Sequence, residues 1–183
     1  MKNVTLAGAV VLAMAATPAL AQKATGTKMM SDEHFVTDVL NVGMAEVELG
    51  KMAADKASRE EVKKFGQRMA DEHSKAGDEL KTLAQKKNIT PPTELDAKHK
   101  ALRDRLMKLS GEGFDHAYMQ AMVSGHRQAV NAFRMESKSG KDPEIKEWAA
   151  KTLPTIEDHL KQAQELSHGA VGTSGTMKHR TKK

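Results

Sequence analysis

No cysteine occurs among the 183 residues, and aromatics make up only 3%: four Phe, one Tyr and one Trp. Without Cys there is no disulfide framework, no thiolate zinc site and no thiol nucleophile. So few aromatics argue against a β-sandwich or barrel, whose strands lean on aromatic and β-branched side chains. No Gly-rich phosphate loop and no nucleophile–base pairing is legible. Ser124 lies two residues from His126, which puts the two on different faces of a helix. The remaining composition, rich in Ala, Leu, Met, Lys and Glu, suits helices, and the length fits one ordinary domain.

The two ends of the chain read differently from the body. Lys2, the apolar run Val4 to Ala16, the break at Pro18 and Ala19-Leu20-Ala21 have the parts of a secretory signal peptide over residues 1–21. Cleavage after Ala21 would leave 162 residues beginning at Gln22, in the periplasm or secreted. A retained anchor is the competing reading, and the run is short of the roughly 20 apolar residues a span needs. No Cys follows the cleavage point, which closes the lipoprotein route. Residues 22–30 are expected to be flexible. Residues 169–183, GAVGTSGTMKHRTKK, are expected to form a disordered basic tail.

The formal charge of +5 is carried by those ends. Of the 29 basic residues, three fall in residues 1–30 and four in 169–183, where there are no acids; 22 face 24 acids between 31 and 168. The body is therefore nearly neutral. An exported chain without a basic face is not expected to bind nucleic acid. The tail could contact an anionic envelope surface weakly; any other partner would lie in the envelope and is not identified by the sequence. No membrane span is expected after cleavage.

Four long segments and one short one carry helix punctuation. The first runs from about Ser31, an N-cap followed by Asp32 and Glu33, to Ala57. The second opens near Ser58 and runs to Lys87, stopped by Asn88 and Pro91-Pro92. A shorter helix is expected from Thr93 to Leu109, and another from Phe114 to Ser139. The last begins with Asp142 as N-cap and Pro143 at the first position, and ends at His168 before Gly169.

Each long segment carries a seam spaced alternately by three and four residues. These seams are Phe35-Val39-Val42-Glu46-Leu49-Ala53, Val62-Phe65-Met69-His73-Ala76-Leu80-Leu83, Met119-Met122-His126-Ala129-Phe133 and Ala149-Thr152-Ile156-His159-Ala163-Leu166. Each has one strongly polar residue near its middle. Counted at about 1.5 Å per residue, Glu46, His73, His126 and His159 reach one level only if the short helix crosses back along the bundle between two hairpins. That is the ferritin-like connection: an all-α four-helix bundle with a short helical crossover. A weak repeat agrees, since His73-Ser74-Lys75 with Glu79-Leu80 parallels His159-Leu160-Lys161 with Glu165-Leu166. Pro154 is expected to kink the last helix one turn before His159.

The segments AEVELGKMA (45–53), VKKFGQRMADEHSKAGDEL (62–80) and LPTIEDHLKQAQEL (153–166) resemble a known family. So does Phe114-Asp115-His116-Ala117-Tyr118, with His126 eight residues on. Together they are similar to the exported bacterial proteins grouped as domain-of-unknown-function family 4142, in the ferritin-like superfamily. The resemblance covers about residues 31–168 and implies a ferritin-like bundle and an envelope location. It implies no activity. Di-iron ferritin-like proteins use Glu on two helices and Glu-x-x-His on two others; here Ala70 and Ile156 precede His73 and His159 by three, so iron oxidation does not carry over.

Three imidazoles and a carboxylate nonetheless suit one transition metal, zinc, copper or iron. The expected ligands are Glu46, His73, His126 and His159. Asp71, Glu72, Glu157 and Asp158 flank the histidines and could receive ring N–H groups. Met69 and Met122, one turn before His73 and His126, could add thioethers, although core filling is the commoner use of Met. Two readings stand. One is an exported protein of uncharacterised role holding one metal at a mid-bundle cluster of three histidines and one glutamate. The other is a metal-free interaction or stress-protection module with a buried His/Glu hydrogen-bond network. No catalytic residue is expected. Asp115 and Tyr118, three apart, are expected to make a polar contact within their helix.

Overall fold

The computed structural model describes residues 31–172, with side chains through 169. The expected leader, the 22–30 segment and residues 173–183 of the expected tail lie outside the described residues. Five helices follow in order: α1 (Asp32–Lys56), α2 (Glu60–Lys86), α3 (Ala97–Met107), α4 (Gly111–Ser139) and α5 (Pro143–Gly172). No strand occurs among the described residues. None of their helices is long and apolar enough to cross a membrane.

Local chemistry sets most helix ends. Ser31 Oγ accepts from the His34 N–H at 3.2 Å and opens α1, as Ser at an N-cap does. Asp142 accepts from the N–H groups of Glu144 (3.0 Å) and Ile145 (3.2 Å) at the start of α5. Asn88 takes a left-handed φ of 55° after α2. The Ile89 N–H then bonds the Ala84 carbonyl at 2.9 Å, and Ile89 is tucked into the core, a glycine-type helix stop built on Asn.

Three boundaries differ from expectation by three residues or more. The crossover helix begins at Ala97 rather than Thr93, because Asp96 accepts from the His99 N–H at 2.8 Å while Asn41 of α1 holds the Glu94 carbonyl and the Asp96 N–H. α4 begins three residues early, at Gly111, whose φ of +58° only glycine adopts freely. α5 continues through Gly169, which has no left-handed turn to end it, so 169–172 are helical where the tail was expected to begin.

α1 pairs with α2 and α4 with α5 as antiparallel hairpins, and packing is much denser within each hairpin than between them. Gly50 and Gly66 explain the intimacy of the first. A Cβ on Gly50 would lie 2.5 Å from the Gly66 carbonyl oxygen and 2.9 Å from the Ala70 nitrogen. α3 returns along the bundle over α1 and α4, with Lys56 donating to the Met107 carbonyl at 2.5 Å. This is the ferritin-like four-helix bundle with a helical crossover.

Each hairpin caps the turn of the other. Asp32, at the start of α1, accepts from the N–H groups of Lys141 (3.1 Å) and Asp142 (2.6 Å). Asp115, near the start of α4, accepts from the Ser58 and Arg59 N–H groups at 2.9 Å and from Ser58 Oγ at 2.7 Å. The polar contact expected between Asp115 and Tyr118 does not form, because Asp115 is spent on α2's otherwise uncapped N-terminus.

The core is split in two. One apolar cluster holds Phe35, Leu40, Leu80, Phe133, Ile145 and Trp148. The other holds Leu49, Phe65, Met69, Phe114, Tyr118 and Met122. In each long helix the polar residue of the seam lies between the residues given to the two clusters. Val36 and Leu40 are buried in α1 where Val39 and Val42 were expected; those two instead line a cleft described below.

Candidate metal centre

The layer between the two apolar clusters holds Glu46, His126 and His159, at most 5% exposed, with His73 half-buried. α2, α4 and α5 each contribute one imidazole, and the ring centroids lie 5.3 to 5.6 Å apart. One nitrogen from each of His73, His126 and His159 lies within 4.8 Å of the other two. A metal at about 2.0–2.1 Å from each nitrogen would draw the rings closer by no more than about 1.5 Å.

The hydrogen bonds fix the tautomers of His126 and His159. His126 donates from Nδ1 to the Met122 carbonyl at 3.0 Å; a carbonyl only accepts, so the lone pair is on Nε2. His159 donates from Nε2 to Glu72 at 2.8 Å, which leaves its lone pair on Nδ1. His73 Nε2, His126 Nε2 and His159 Nδ1 are buried and have no protein partner. The cluster is therefore not closed by hydrogen bonds of its own. Three neighbouring rings, each with a buried unpartnered nitrogen, match the donor set of an imidazole-ligated transition metal.

Electrostatics keeps those lone pairs free. Burial, and then the neighbouring His126 and His159, push the His73 pKa well below the ordinary value. Burial and His159 lower His126 to about 4, against a small opposing effect of its bond to Met122. Burial also lowers His159, opposed by Glu72. At neutral pH all three rings are neutral and ready to ligate.

Behind His159 runs a chain of polar groups. Arg68 bonds Glu72 at 2.8 Å, Asp158 at 2.8 Å and Gln162 at 2.8 Å. For Glu72, burial favours the acid, but hydrogen bonds from Arg68 and His159 outweigh it and keep the carboxyl below its usual pKa. Of the four flanking acids, Glu72 thus receives a ring N–H directly and Asp158 acts through Arg68. Glu157 pairs with Arg134 and Asp71 with Gln67. The role of Arg68 was missed; its spacing of four from Glu72 was the available signal.

Glu46 reaches the same layer but not the same point. Its Oε1 lies 4.0 Å from His126 Nδ1, the nitrogen that faces Met122, and it is outside the group of three. The geometry groups three histidines, with Glu46 beside them. Glu46 sits on α1, which packs on α2 and α4 but not closely on α5. No cation faces its carboxyl, and burial raises its pKa to about 8. Met69 and Met122 belong to the apolar cluster, and the tie of Met122 to the site is its carbonyl oxygen.

Two solved structures share the fold. CopM in its Cu(II)-bound form is 19% identical, with a TM-score of 0.64, over 76% of this chain and 97% of that one. A DUF305 protein from Streptomyces coelicolor, assigned as secreted, is 16% identical, with a TM-score of 0.65, over 81% and 98%. No curated protein sequence matches. The family model described as a domain of unknown function, DUF4142, matches residues 15–166. The chain, with its two capped hairpins and its crossover, belongs to the DUF4142 family.

Proposed function

We propose that the protein is an exported metal-binding protein that holds one copper ion at His73, His126 and His159. The observations that carry this reading are that a nitrogen from each of His73, His126 and His159 lies within 4.8 Å of the other two, and that each ring has a buried nitrogen without a protein partner. A purely structural network would be expected to satisfy those atoms. Copper is favoured over zinc and iron because imidazole sites bind Cu(II) most tightly among the divalent first-row metals. The fold neighbour CopM, solved with Cu(II), supports the same choice. The signal-like residues 1–21 support export. When bound, the metal supplies a single cationic point shared by both hairpins. His126 and His159 are oriented for it by Met122 and Glu72, and Arg68 holds Glu72 in place.

The test is metal content and copper affinity of protein purified from the periplasm, beside His73→Ala, His126→Ala and His159→Ala. One copper per chain in the parent, lost in all three variants, is the expected result. A parent that takes up no copper after dialysis against it, or variants that keep the parent's copper, would refute the proposal. Zinc binding at the same residues in preference to copper would keep the site and replace the metal.

A further inference from the structure

A cleft of about 770 Å³ enters the bundle between α1 and α4 beside the crossover helix α3. That volume is in the range of sites for drug-sized molecules, roughly 300–1,000 Å³. Its walls are mainly apolar: Val39, Val42 and Leu49 of α1, Leu80 of α2, Phe133 of α4 and Ile156 of α5. Three buried polar atoms on its lining residues have no protein partner: Glu46 Oε2, His73 Nε2 and Trp148 Nε1. Glu46 is 5% exposed and Trp148 9%.

The glycines of the lining are not explained by packing. A Cβ added at Gly43 or Gly77 would meet nothing within 4 Å, and one at Gly125 only Glu46 Oε1 at 3.6 Å. Gly50 and Gly66 are demanded by helix contact, but these three are not. Glycine inside a helix is destabilising relative to alanine, so close helix packing does not account for them. All three lie on the cleft, on α1, α2 and α4. Their common effect is open volume.

We propose that the cleft binds an elongated, uncharged, mostly apolar molecule with an oxygen function at each end, one received at Glu46 and the other at the indole N–H of Trp148. The length follows from the helix. Trp148 precedes His159 by eleven residues on α5, about 16 Å along the axis, and His159 shares the layer of Glu46 and His73. The absence of charge follows from the lining. Its charged residues other than Glu46 are Asp38 and, at or on α3, Asp96, Lys98 and Arg105. Those four are exposed to solvent, whereas Glu46 is buried. An anionic end at Glu46 would meet a second carboxyl, and a cationic end would have to bury an ion pair at a large desolvation cost. A hydroxyl or carbonyl needs only the donors and acceptors present.

Trp148 is the only tryptophan of the chain, so occupancy can be read from its emission. The experiment uses the full chain in EDTA, which keeps it independent of metal binding. A terminally brominated decanol is titrated as a quencher and displaced by decanediol, decanoate or decylamine. Saturable quenching, relieved best by the diol, is expected. Gly43→Leu and Gly125→Leu should each weaken the probe by about tenfold or more, because the added side chain takes the ligand's volume. Gly43→Ala should bind as the parent does, with an unchanged or higher melting temperature. Quenching that never saturates, or that is equal in both Leu variants and the parent, would overturn the site. Better displacement by decanoate or decylamine would overturn the uncharged ligand.

Discussion

Replacing Glu46 by Gln should make the metal-free protein more stable, by an amount that grows with pH. Burial raises the Glu46 pKa to about 8 from its ordinary 4.5. Between those values the folded chain holds a proton that the unfolded chain has released, so stability falls as pH rises. At about 1.36 kcal/mol per unit, the accumulated loss is about 1 kcal/mol at pH 5 and about 4 kcal/mol at pH 8. Gln copies the shape of the neutral acid and cannot ionise. Urea denaturation in EDTA at pH 5, 6, 7 and 8 should therefore show the variant gaining about 3 kcal/mol on the parent across that range. The histidines act in the opposite sense. Their lowered pKa values give stability that is complete above about pH 6.5 and declines as pH falls toward about 4. That slope is common to parent and variant and cancels in their difference. A gap that stays constant within about 1 kcal/mol from pH 5 to pH 8 would show that Glu46 is not a buried, unpaired carboxyl.

Glu72→Gln removes the carboxylate that receives the His159 N–H and should weaken copper binding by roughly 10–100-fold in a competition titration. Gly50→Ala should destabilise the chain by about 1–3 kcal/mol through overpacking against the Gly66 carbonyl. Gly77→Ala, with no atom in the way, should instead raise stability by about 0.4–1 kcal/mol. Thermal melts of the two can be compared directly, and equal shifts would contradict the packing described for α1 and α2. Asp115→Ala leaves the Ser58 and Arg59 N–H groups without their acceptor and should cost about 1–3 kcal/mol in chemical denaturation.

The fold was legible because each long helix repeats one seam and breaks it once. Matching the depths of Glu46, His73, His126 and His159 was enough to demand a crossover, and α3 supplies it. Three of those four residues meet at one point. Glu46 reaches the layer but stands outside that point, because depth along an axis says nothing of the distance across a bundle, where α1 is not a close neighbour of α5. The cap supplied by Asp115 was invisible for a related reason: its donors open a helix more than fifty residues away. The cleft was also unreadable. Its glycines are scattered over three helices and look, in sequence, like the Gly50 that packing requires.

Asp32 and Asp115 bind the two helical arms to each other reciprocally. The bend of each arm is anchored by the opposite arm, so a fragment cut at the crossover would carry bare amide hydrogens at 58–59 or at 141–142. Variation that loosens one end must be answered at the other, between 56 and 110 positions away along the polypeptide.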